Sequence, residues 1–145
     1  MSNRLPILAE QIKSAHNDTV EASNLAAQRA LDAGIALVEA KELVKHGDWL
    51  PFLKEARVPE RTAQRYMTLA RSNLKSDTVS LLGGVMPALR FLKLRDLAYR
   101  QMTRAWDAAE NGNDDPDEEL VSLETALMLM DEMIAMFPEK MGGAA

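Results

Sequence analysis

The sequence predicts an all-α fold: a long N-terminal helix, a central helix-turn-helix and a C-terminal antiparallel helical hairpin. Three observations lead there. Apolar residues recur at three- and four-residue spacings, with no run of strand-like alternation. Ala, Leu and nine Met supply the apolar content while aromatics make up only 5%, a balance that favours helix over strand. Pro6, Pro51, Pro59, Pro87 and Pro116 each fall at a helix start, and Pro138 follows a helix end, the positions where a missing N–H is tolerated. The 145 residues suffice for a core of their own. They are expected to divide into a long packing and oligomerisation helix (1–45), a helix-turn-helix-like unit (46–85) and a helical hairpin with an acidic loop (86–145).

The first helix is expected from Pro6 to Val44, about 58 Å at 1.5 Å per residue. It opens with the stripe Leu5, Leu8, Ile12 and Ala15. An Ala-rich section follows (Ala22, Ala26, Ala27, Ala30, Ala33), and the helix ends apolar on more than one side between Leu31 and Val44. Gly34 marks a bend or a close approach. The early stripe needs a cover, from the C-terminal helices or from a second copy.

His46 to Arg71 reads as two short helices around a tight corner. Asp48 is the expected N-cap of the first, whose apolar side is Trp49, Leu50, Phe52 and Leu53. Arg57-Val58-Pro59 forms the corner, with Arg57 where a Gly is usual. In the second helix Ala63, Tyr66, Met67 and Ala70 face inward, leaving Arg61, Gln64, Arg65 and Thr68 in front. A helix with an apolar back and an Arg/Gln/Arg front is what a helix-turn-helix lays in the major groove. Arg can bond guanine and Gln adenine in a two-pronged way. The candidate base contacts are therefore Arg61, Gln64, Arg65 and Thr68; the candidate phosphate contacts are Lys54, Arg57, Arg71 and Lys75. A merely solvated Arg-rich face is the competing reading.

Several of these segments carry a resemblance. LPILA at Leu5–Ala9, EAK at Glu39–Lys41, HGDW at His46–Trp49 and ERTAQRYM at Glu60–Met67 resemble a family of bacterial and phage proteins known as domain of unknown function 3102. The resemblance covers roughly the first half of the chain. It implies the long helix, the corner and the following helix, and no particular activity. The ERTAQRYM segment also looks like the recognition helix of partition-type and plasmid-repressor regulators, an analogy that implies DNA binding.

After a short linker with one or two helical turns ended by Gly83-Gly84, a helix is expected from Pro87 to Glu110. Its inner side is Phe91, Leu94, Ala98, Met102, Ala105 or Trp106, and Ala109; its outer side is Arg90, Lys93, Arg95, Arg100 and Arg104. The last helix starts strongly, with Asp115 as N-cap, Pro116 next and Glu118 three residues after the cap. Its seam Leu120, Leu123, Leu127, Met130, Ile134 and Phe137 is expected to fold back on the preceding helix.

The net charge of −5 hides an asymmetry: −2 over residues 1–40, +7 over 41–104 and −10 over 105–145. A basic middle suits a nucleic acid, and an acidic end suits a protein partner. The absence of cysteine excludes a disulfide framework and thiolate metal sites. No signal segment or long apolar run appears, so a cytoplasmic protein without a membrane span is expected. The loop NGNDDPDEE lacks the sixth-position Gly and closing Glu of a Ca²⁺ loop. No metal, cofactor or catalytic constellation is read, His16 and His46 standing far apart and without a partner motif. The expectation is a non-enzyme: a sequence-specific regulator on double-stranded DNA, functioning as a homodimer. The alternative is a phage or mobile-element interaction module that inhibits a host defence or nucleic-acid enzyme through the acidic C-terminal region.

Overall fold

A long helix forms the spine of the N-terminal half, and Ala27, Ala30 and Gly34 are among the residues it buries where other helices meet it. The computed structural model describes residues 4–111 and 116–138. Among those residues it is all helix and turn with no strand: α1 Arg4–Leu43, α2 Trp49–Glu55, α3 Glu60–Arg71, α4 Ser76–Leu81, α5 Val85–Glu110 and α6 Pro116–Ala135. The chain forms two units, Met1–Val85 and Met86–Ala145.

In the first unit α3 and α4 both lie along α1, and α2 packs on α3. Ala27, Ala30, Leu31, Gly34 and Leu37 are the buried residues of α1, so the Ala-rich section does receive neighbouring helices. Leu37 joins Leu53, Ala63 and Met67 in the core, with Val38, Trp49, Phe52, Val58 and Tyr66 packed around it. Burial of a side chain the size of Leu53 or Met67 stabilises by roughly 1.5–3 kcal/mol. Ser23 and Ser80 share a 2.9 Å hydroxyl hydrogen bond that ties α4 to α1. N-terminal to Ser23 the helix runs on with its side chains exposed, apart from a half-buried Leu8.

Several expectations shift in detail. α1 ends at Leu43, and His46 lies in a turn closed by Asp48 N–H donating to the Lys45 carbonyl at 3.1 Å. Gly47 takes φ 92° there, open to a residue without a Cβ. Asp48 does hold the N-cap position of α2, but its side chain makes no capping hydrogen bond. Leu50 points outward at 55% exposure, because a helix of seven residues has only one narrow side to bury.

In the second unit α5 begins two residues before Pro87 and buries Ala88, Leu92, Leu94, Ala98 and Ala105. Of the paired alternatives, Ala105 is buried while Trp106 and Met102 are exposed. α6 returns antiparallel: Arg90 pairs with Glu132, and Phe91 meets Phe137 edge-on at 5.5 Å. These two rings, with Met130, Met133 and Ile134, line an open apolar hollow of about 240 Å³. The seam expected to face α5 reaches it only at its C-terminal end, through Phe137. Leu120, Leu123, Leu127, Met130 and Ile134 are exposed, and Ser122 and Ala126 are buried. α6 is apolar on nearly every side, so spacing alone could not choose its inner face; Ser122 and Ala126 share that face with the half-buried Leu129 and Met133. Asp115 and the side chain of Glu118 lie outside the described residues.

Candidate nucleic-acid interface

The corner that aims α3 is built by a helix terminus rather than by glycine. α2 stops at Ala56, after which Arg57 takes φ 56°. Arg57 N–H donates to the Lys54 carbonyl at 3.2 Å and Val58 N–H to the Leu53 carbonyl at 3.1 Å. That pair of bonds is a Schellman termination, which satisfies two orphan carbonyls of α2. Left-handed backbone costs a side chain such as Arg about 1–2 kcal/mol. Val58 then turns back onto the core, and Pro59 at φ −59° stands as the N-cap of α3. Pro59 keeps the chain extended before the helix, and its carbonyl accepts from Ala63 N–H at 2.9 Å.

Within α3 the division into back and front holds, with one correction to its width. Ala63, Met67 and Leu69 are buried, while Tyr66 and Ala70 are half-buried. Leu69, which the sequence reading assigned to neither side, is completely covered. Its spacing of three from Tyr66 and four from Arg65 was the available signal. The buried arc therefore reaches the edge of the front. Arg65, one turn before Leu69, is half-buried, whereas Arg61, Gln64, Thr68 and Arg71 are exposed.

The front already has some internal bonding. Thr68 donates its hydroxyl hydrogen to the Gln64 carbonyl at 2.9 Å, leaving the oxygen lone pairs free to accept. Gln64 Nε2 reaches Glu60 Oε1 at 3.5 Å. Glu60 is a residue the sequence reading passed over. It opens α3 next to Gln64, suits the positive end of the helix dipole and can accept from cytosine N4.

The eight candidate residues fall into three groups in chain order. Lys54 and Arg57, both exposed, precede the N-terminus of α3. Arg61, Gln64, Arg65 and Thr68 occupy its length. Arg71 ends it, and Lys75, also exposed, is the N-cap of α4. The short turn between them is held by Ser72 Oγ donating to the Leu69 carbonyl at 2.6 Å and by Asn73 at φ 61°. Twelve residues of helix separate the two cationic ends by about 18 Å, enough to reach past both edges of a major groove about 12 Å wide. Among the described residues, no group of three or more Asp, Glu or His is arranged to hold a metal ion. No helix there is long and apolar enough to cross a membrane.

No curated protein and no solved structure matches the chain. A family model does match, and over far more than the first half: it runs from residue 5 to residue 130, through α5 and into most of α6. The chain therefore belongs to the family described as "Protein of unknown function (DUF3102)".

Proposed function

We propose that the protein is a non-catalytic, sequence-specific DNA-binding regulator that reads the major groove with α3. One observation carries the reading. α3 buries Ala63, Met67 and Leu69 and turns outward an unbroken front of Arg61, Gln64 and Thr68, with a cationic pair at each end of the helix. In this reading Arg61, Gln64, Arg65 and Thr68 meet base edges, and Lys54, Arg57, Arg71 and Lys75 meet phosphates. The cationic ends lie near the two strands flanking the groove, while the polar centre enters it. Titration of labelled duplexes from the region upstream of the protein's own gene tests this directly. Saturable binding to one duplex, with weaker binding to shuffled sequence, is expected; equal or absent binding to every duplex overturns the reading.

A second reading has its own observation. Leu120, Leu123, Leu127 and Ile134 are exposed on α6 beside the exposed carboxylates of Glu124 and Asp131. An acidic, apolar helix face suits a protein partner, as in an inhibitor of a host defence or nucleic-acid enzyme. Substitution of Glu124 and Asp131 separates the two readings. It leaves DNA binding intact in the first and removes partner binding in the second.

A further inference from the structure

We infer that α1 pairs with α1 of a second copy, antiparallel, over residues 4–18. The face of α1 that α3 and α4 cover does not end where they end. By helical period, Leu5, Leu8, Ile12 and Ala15 fall on the same side as Ser23, Ala27, Ala30, Gly34 and Leu37. Yet Leu5 is 74% and Ile12 68% exposed. The uncovered part, from Arg4 to the residue before Ser23, is about 28 Å long.

Charge and size select the occupant and its direction. Spacing of 3-4-3 puts Leu5 and Ile12 at one seam position and Leu8 and Ala15 at the other. An antiparallel second copy centred on Glu10 sets Leu8 against Ile12 of the second copy and the large Leu5 against its small Ala15. The same register brings Arg4 within two residues, about 3 Å along the axis, of Asp18 of the second copy, twice by symmetry. Both residues are exposed, and neither is ion-paired among the described residues. A parallel pair would instead set Arg4 beside Ala9 and Asp18 beside Ser23, with no opposite charges meeting. The antiparallel overlap also ends at Asp18, just short of Ser23, where α4 takes over the same face. One stripe is thus covered end to end by three helices.

If the DNA-binding reading holds, this dimer sets the half-site spacing. Gly34, where α3 crosses, lies 24 residues from the Glu10 centre. Two copies of α3 then stand about 70 Å apart, two turns of B-DNA.

The test needs no DNA, so its outcome is independent of that reading. Light scattering of the full chain is expected to give twice 16.1 kDa, and Ile12→Glu to give a monomer of unchanged helix content. A monomeric wild-type chain, or a dimer indifferent to Ile12→Glu, overturns the inference. Because the chain has no cysteine, Asn24→Cys takes a single spin label per copy. A label separation of about 40 Å is expected for the antiparallel pair, and one under about 20 Å, the parallel arrangement, overturns it. Arg4→Glu is expected to raise the dimer Kd several-fold, and Arg4→Glu with Asp18→Arg to recover it; failure to recover refutes the register.

Discussion

Gly34 of α1 lies so close to α3 that a Cβ on it would stand 2.8 Å from the carbonyl carbon of Tyr66 and 2.9 Å from the Cβ of Ala70. Main chain cannot yield as a flexible side chain can. The glycine therefore fixes how deeply α3 sits on α1, and through that depth the tilt at which Arg61 and Gln64 are held out. Gly34→Ala gains about 1 kcal/mol of helix propensity but must push α3 away, at a larger cost. A net loss of roughly 1–3 kcal/mol is expected. Urea unfolding of the variant checks it; a midpoint equal to or above that of the parent chain contradicts the close-packing account.

The Arg57 corner separates stability from binding. Arg57 holds φ 56°, which glycine adopts without steric cost. Arg57→Gly is expected to stabilise the fold by about 1 kcal/mol. If Arg57 meets a phosphate, the same variant weakens binding to all duplexes alike and lowers the salt slope by about one. Thermal melts and duplex titrations on one preparation read both effects, and a destabilised variant counts against a strained corner.

Arg61 and Arg65 should not behave alike. Each, changed to Ala, is expected to weaken specific binding by about 1–3 kcal/mol. Arg61 is exposed, so its loss leaves stability within about 0.5 kcal/mol. Arg65 is half-buried above Leu69, so truncating its stem also costs some packing. Lys75→Ala instead weakens binding without regard to sequence. Binding isotherms at several salt concentrations distinguish these outcomes, and arginine variants that bind DNA as the parent does refute the proposed front.

Trp49 anchors α2. It stacks on Phe52 at 5.7 Å and lies beneath the Lys41 ammonium, 5.1 Å from the ring centre. Trp49→Ala is expected to destabilise by roughly 2–4 kcal/mol, and Lys41→Ala by about 0.5–1 kcal/mol. A double-mutant cycle on the two measures their coupling; additive losses would mean the ammonium and ring do not interact.

The sequence by itself determined the all-helical class, the order of the elements and the polar front of α3. Pro59, the Ala63–Met67 spacing and the prolines at helix starts act locally, through backbone restriction and helical period, and need no knowledge of neighbours. It also located Arg57 as an unusual corner residue, though the left-handed turn itself emerged only with the termination of α2. Other features depended on what lies across the gap between helices. Leu69 joined the core, narrowing the front and half-burying Arg65, because the neighbouring helices cover a wider arc than period alone marks. Gly34 was legible as either a bend or a close approach, and the main chain of Tyr66 decided for the approach. α6 is the clearest case. Its heptad seam pointed to one face, but an all-round apolar helix offers several faces of similar period, and Ser122 and Ala126 went inward while Leu120, Leu123, Leu127 and Ile134 stayed out. Period says which residues share a side; only the shape of the facing helix decides which side is covered.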